Sequence, residues 1–135
     1  MARVRLSRFA TRDPGAFERV LDDHTRELLA AFPRKGGSWG LARKLLNIFL
    51  RDSLYTAYLR KAYGLALAER LFEVPLDSIT AKHIRKAKPE LPRWRGVKHL
   101  DADLSAAYQA GALVVAKQKQ TARVHLDAYW WGARE

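Results

Sequence analysis

No cysteine occurs among the 135 residues. That removes disulfides, thiolate metal sites, iron–sulfur clusters and thiol nucleophiles. It accords with a reducing compartment. The four histidines (His24, His83, His99 and His125) lack metal-ligand spacing, and no metal or other cofactor is expected. No apolar run approaches the roughly 20 residues that span a bilayer. Residues 1–9 hold no continuous apolar core, so a secretory leader is not expected. Repeats and low-complexity tracts are also lacking. The expected compartment is the cytoplasm, beside the nucleoid, with no membrane partner.

What is present is charge. Lys and Arg number 25 against 14 Asp and Glu, a net +11, on a chain that is 48% apolar. Enough apolar material for one core, with that excess of cations, describes a single folded body that attracts polyanions. Nucleic acid is the commonest such partner, and charge alone does not distinguish it from an anionic membrane surface.

Helical periodicity runs through most of the chain. A possible basic arm over 1–12 carries Arg3, Arg5, Arg8 and Arg12 and is expected to be solvated. Asp13-Pro14 signals a helix start, with Phe17, Val20, Leu21, His24, Leu28 and Leu29 at helical spacing and Pro33 beyond its end. On that stripe His24 suits a hydrogen-bonded core residue. Residues 34–40 form a glycine-bearing turn, Ser38 caps the next helix, and apolar residues from Leu41 to about Tyr63 surround much of that one central helix. Asp52 falls within its apolar stripe and should be salt-bridged to an arginine. Lys44 lies at the stripe's margin, above Ile48 and Arg51.

Gly64 interrupts the pattern, and Leu65–Phe72 makes a short helix. Residues 73–78 are extended before Pro75, and Asp77 caps a helix through Ile84. Lys82, Arg85, Lys86, Lys88, Arg93, Arg95 and Lys98 then face one acid, Glu90, with Trp94 among them. Cations with an interleaved aromatic suit a phosphate backbone plus a stacking contact. A solvated loop with Trp94 in the core fits the same residues. A helix starts at Asp101 or Asp103, with Gly111 permitting a close helix contact. A polar hinge at 117–121 leads to a last helix over 122–131, where Asp127 and Trp131 share a face. The whole reads as an all-α single domain, a compact bundle of about six helices.

Lys35-Gly-Gly-Ser-Trp-Gly40-Leu-Ala-Arg-Lys44-Leu-Leu-Asn47, followed 33 residues after Lys44 by Asp77 in Val74-Pro-Leu-Asp77-Ser-Ile-Thr, resembles the helix-hairpin-helix superfamily of DNA glycosylases. The ending His125-Leu-Asp127-Ala-Tyr-Trp-Trp131 is similar to that of the archaeal 8-oxoguanine DNA glycosylase branch. Two departures stand out. The hairpin lacks the common Leu-Pro-Gly-Val-Gly form, and the N-terminal helical region is short.

The resemblance implies a helix-hairpin-helix-like element with its turn and nucleophile-helix start over 34–47 and an aspartate segment over 74–86. It implies Lys44 as amine nucleophile and Asp77 as its carboxylate partner. Asp127 and Trp131 would contact the oxidised base. Gly36, Gly37, Ser38, Gly40 and Arg43 would hold a phosphate, with Lys82, Arg85, Lys86, Arg93 and Arg95 along the backbone. The implied substrate is double-stranded DNA with a damaged base, engaged by a monomer, and the implied activity is base excision with AP-lyase cleavage. Partial burial of Lys44 against Leu41, Leu45 and Ile48, beside Arg43 and Arg51, would lower the amine's pKa.

The bland alternatives are concrete. Lys44 is then a surface lysine with its stem on apolar neighbours, Asp77 is a plain helix cap, and Asp127 is exposed on a terminal aromatic helix. The protein is then a non-catalytic basic nucleic-acid-binding module, or a partner-docking protein that uses Trp130 and Trp131.

Overall fold

Four polar residues start the main helices in the computed structural model, which describes residues 4–33 and 37–132. Asp13 accepts from the Gly15 amide and opens α1 (Pro14–Ala31). Ser38 accepts from Leu41 and opens α2 (Trp39–Tyr55). A short α3 (Ala57–Ala62) follows, then a 3-10 segment, Leu65–Leu71. Asp77 opens α4 (Ser78–Ala87) and Asp101 opens α5 (Ala102–Gln118). A 3-10 turn at Arg123–His125 leads into α6 (Leu126–Gly132). No β-strand occurs among the described residues, and none of their helices is long and apolar enough to cross a membrane. The all-α architecture expected from periodicity is observed.

The apolar side chains form two adjoining clusters. One joins Phe9, Phe17 and Leu21 to Leu46, Leu50 and Leu54 of α2 and to Leu65 and Phe72. The other joins Val74 and Leu76 to Ile84, Tyr108, Ala112, Leu126 and Trp130. The extended segment from Phe72 to Leu76 passes from the first to the second. Gln109 grips it in both directions, accepting from the Val74 amide at 3.1 Å and donating to the Val74 carbonyl at 2.7 Å. This side-chain amide supplies the partners that a neighbouring strand would otherwise provide.

Several expectations are corrected. The single helix over 41–63 is two, because the chain turns extended at Thr56 (φ −84°, ψ 112°) between α2 and α3. Nor is that stretch buried on several sides: Leu45, Phe49 and Tyr55 are exposed, and Tyr58 is 76% exposed. Asp52 is paired with an arginine as expected, accepting from Arg51 at 3.2 Å, but it lies exposed outside the core rather than within the apolar stripe. Arg3 lies outside the described residues, and residues 4–12 are no free arm. Residues Leu6–Phe9 form a 3-10 turn with Leu6 and Phe9 in the core, while Arg5 and Arg8 pair with Glu27 and Asp23. Trp130 is buried and stacks on His83, so it is no surface docking aromatic.

Other readings hold. His24 is a buried histidine whose ring nitrogens meet the Val20 carbonyl and the Arg5 amide. Gly111 permits the close approach of α4, since a Cβ there would fall 3.0 Å from Ile84.

A candidate lysine–aspartate cavity at the seam of the two clusters

Helix α2 has two faces with different duties. Arg43, Leu46, Asn47, Leu50 and Leu54 turn inward and are buried. Lys44, Ile48, Arg51 and Tyr55, spaced by four, three and four residues, line the opposite side and border a cavity of about 530 Å³. The far wall is Pro75 and Asp77 from the extended segment, with Asp127, Ala128 and Trp131 from α6. Lys44, Asp77, Asp127 and Trp131, drawn from three separate parts of the sequence, thus border one space.

A buried ion cluster sets this geometry. The Arg43 guanidinium donates through Nε to Glu73 Oε1 at 2.9 Å and through its second amino group to Oε2 at 3.2 Å. It also donates to Asp22 at 3.0 Å and to Thr25 Oγ1 at 2.9 Å. Asn47 donates to Glu73 at 3.0 Å, and the ring of Trp39 lies 5.2 Å from the guanidinium carbon. Burial is the largest single influence and works against both charges, but their partners together outweigh it, Glu73 and Asp22 for Arg43, and Arg43, Arg123 and Asn47 for Glu73. Arg43 is held further towards its cationic form and Glu73 below the usual carboxylate range. Arg43 and Asn47 bracket Lys44 in sequence, and Glu73 stands four residues before Asp77. The cluster therefore couples the lysine helix to the aspartate segment.

Asp77 caps α4 in a full capping box. Its Oδ1 accepts from the amides of Ile79 at 3.0 Å and Thr80 at 2.8 Å, while its own amide donates to Thr80 Oγ1 at 2.9 Å. The Thr80 hydroxyl also donates to Oδ1, at 3.1 Å. The cap reading of Asp77 is thus correct, and the cap is what holds the carboxylate at the cavity wall.

Asp127 is 97% buried, 3% of its surface being accessible, and is not the exposed acid of the bland alternative. Its Oδ2 accepts from Arg51, which also binds Asp52. Its Oδ1 is buried with no hydrogen-bond partner among the described residues. Burial pushes this carboxyl up, Arg51 and the Ala128 backbone amide oppose the shift, and the Asp77 carboxylate adds to it. Tyr55 closes one end of the cavity, with its hydroxyl 2.8 Å from His125 Nδ1 and its ring stacked on the imidazole. Trp131 stands at the rim, 44% exposed.

Two phosphate-binding assignments are overturned. Arg43 is committed to Glu73 and Asp22 in the interior, so it offers no fork to a phosphate. Gly40 is buried because the 97–100 segment lies on it. A Cβ there would fall 2.1 Å from the Val97 carbonyl oxygen. Ser38 spends its hydroxyl on the cap. Gly37 is exposed and packs beside Phe32, while Gly36 lies outside the described residues.

The basic segment forms a second cavity of about 490 Å³, lined by Ser78, Ala81, Lys82, Arg85, Lys86, Pro89, Arg93 and Trp94. Arg95 is exposed outside that lining. Ser78 lines this space and Asp77 the other, so the two cavities flank the start of α4.

Sequence reasoning missed Glu73, Gln109 and Tyr55. Tyr55 was legible as the next member of the Lys44, Ile48, Arg51 stripe. No protein-family model matches the chain, and comparison with curated proteins and with solved structures finds no match either.

Proposed function

We propose that the protein is a base-excision DNA glycosylase with AP-lyase activity, acting on an oxidised base such as 8-oxoguanine. The observation that carries this reading is the meeting of Lys44, Asp77, Asp127 and Trp131 at one cavity. They come from three stretches far apart in the chain.

The target nucleotide leaves the duplex stack, which costs a few kcal/mol, and enters between α2 and α6. Trp131 supplies a ring on which the base lies, and the Asp127 carboxylate, which lines the same cavity, accepts from a ring N–H of the base. Lys44 Nζ, as the free amine, gives its electron pair to the deoxyribose C1′. The glycosidic bond breaks, its electrons leave with the base, and the base takes up a proton. Asp77 stabilises the positive charge that develops on the sugar and assists the transfer of the Lys44 proton. Ring opening leaves an imine between Nζ and C1′. Loss of a C2′ proton then expels the 3′ phosphate, cleaving the strand, and water releases Lys44. In this reading cations of α4 and of the segment that follows it hold the backbone without reading sequence.

The test is an excision assay on a panel of damaged duplexes with and without borohydride. Wild-type protein should release the base and give a trapped covalent adduct, and Lys44→Gln should do neither. Excision by Lys44→Gln at the wild-type rate removes the lysine from the mechanism. Equal, salt-sensitive binding to intact and damaged duplexes with no base release leaves a basic binding module, which the cation-lined second cavity also suits.

A further inference from the structure

The geometry points to the cavity between α4 and the segment that follows it as a pocket for one nucleotide, a base with its phosphate, separate from the Lys44 cavity. This deepens the reading of the basic segment as a DNA-binding face and does not depend on excision at Lys44.

Three features set it apart from a solvated basic loop. First, the cations surround a space. Lys82, Arg85, Lys86 and Arg93 line it, and no carboxylate does. Lys88, the neighbouring cation outside the lining, is paired with Glu90 at 3.1 Å. Four positive charges about one unneutralised cavity call for an anion, and arginine forks match phosphate oxygens in pairs.

Second, the rest of the lining apart from Ser78 is apolar, namely Ala81, Pro89 and the Trp94 ring. Bare phosphate would leave those surfaces idle, whereas a nucleobase stacks on an indole whatever its identity. A volume of about 490 Å³ falls in the usual small-ligand range of about 300–1,000 Å³.

Third, the pocket is built. Trp94 is met edge-on by Tyr108, 5.6 Å between centroids, and Tyr108 is fixed by its hydroxyl donating to the Pro92 carbonyl at 2.6 Å. Arg85 Nε donates to the Leu91 carbonyl at 3.3 Å, which leaves its terminal amino groups for a ligand. Trp94 Nε1 is buried without an acceptor among the described residues. Buried donors rarely stay unsatisfied, and a small rotation of the ring towards an entering oxygen supplies the missing acceptor.

The same chemistry is offered by a nucleotide within a DNA strand and by a free mononucleotide. Because the pocket shares the start of α4 with the Lys44 cavity, a strand occupying one runs past the other, and the strand is the source assigned here. The experiment tracks the indole N–H resonances of ¹⁵N-labelled protein, with the Trp94 signal identified from Trp94→Phe. The probes are undamaged single-stranded dA4, dAMP, deoxyadenosine and inorganic phosphate.

The expected result is that dA4 shifts the Trp94 resonance saturably and binds about tenfold more tightly than dAMP, while deoxyadenosine and phosphate alone do not saturate. Trp94→Ala should weaken dA4 binding by about tenfold, Trp94→Phe should retain most of it, and Arg93→Gln should weaken it and flatten its salt dependence. Binding of dAMP as tight as that of dA4 supports the pocket but overturns the strand as its source. A Trp94 resonance unmoved by dA4 and dAMP overturns the proposal, as does full-strength dA4 binding by folded Arg93→Gln and Trp94→Ala proteins. Because dA4 carries no lesion, its binding can hold while excision fails, or fail while excision holds.

Discussion

Arg43 Nε and Glu73 Oε1 lie 2.9 Å apart in the interior, joining the residue next to Lys44 to the residue four before Asp77. Truncating one member of a buried pair leaves an uncompensated charge. Glu73→Ala should therefore lower stability by about 3–5 kcal/mol. The pairwise part is read from an Arg43→Leu/Glu73→Leu cycle in urea melts. A double variant no less stable than wild type would show that the pair sets geometry rather than stability.

Glu73 also sets a sign for acid stability. Its carboxyl is held below the ordinary range in the folded state. The stability it contributes is thus present above the unfolded value of about 4.3 and is lost as pH falls through the folded value. The stability of wild type minus that of Glu73→Gln should grow as pH rises through the acid range. Urea denaturation from strongly acid to neutral pH measures it.

Asp127 carries the opposite sign, because burial raises its carboxyl against the opposing Arg51 charge, with Asp77 adding to the rise. A raised carboxyl contributes stability below its unfolded value of about 3.9, and the contribution is lost as pH rises through the folded value. Wild type minus Asp127→Asn should thus shrink with rising pH, the reverse of the Glu73→Gln difference in the same buffers. Parallel slopes would contradict the burial argument.

Asp77 carries a structural and a proposed chemical duty that two substitutions separate. Asparagine caps about as well as aspartate, whereas alanine costs about 0.5–2 kcal/mol. Asp77→Asn should keep the melting temperature and binding but lose turnover, and Asp77→Ala should lose both turnover and stability. Full turnover in Asp77→Asn leaves only the cap.

Gly40 should be intolerant of any side chain, since a Cβ would fall 2.1 Å from the Val97 carbonyl oxygen. Backbone rather than a flexible tip is in the way, so Gly40→Ala should destabilise by about 1–3 kcal/mol. Thermal melts check this, and an unchanged melting temperature would place the 97–100 segment elsewhere.

Much of the fold was legible because its signals are local. Asp13, Ser38, Asp77 and Asp101 each precede an apolar periodic run, and each is a helix cap. The break at Thr56 was not legible, since neither glycine nor proline marks it and apolar residues recur on both sides. Lys44, Asp77, Asp127 and Trp131 were each named from sequence, but their shared cavity lies at a meeting of helices that no local signal predicts.

By itself, the sequence determined an all-α body with capped helices, a large positive charge and a short set of chemically capable side chains. Tertiary structure alone decided which of them face a cavity. Neighbours on a helix point about 100° apart, so Lys44 and Arg43 meet different surroundings. Only the arrival of Glu73 from 30 residues away turns Arg43 into a buried structural cation and leaves Lys44 beside the space shared with Asp77.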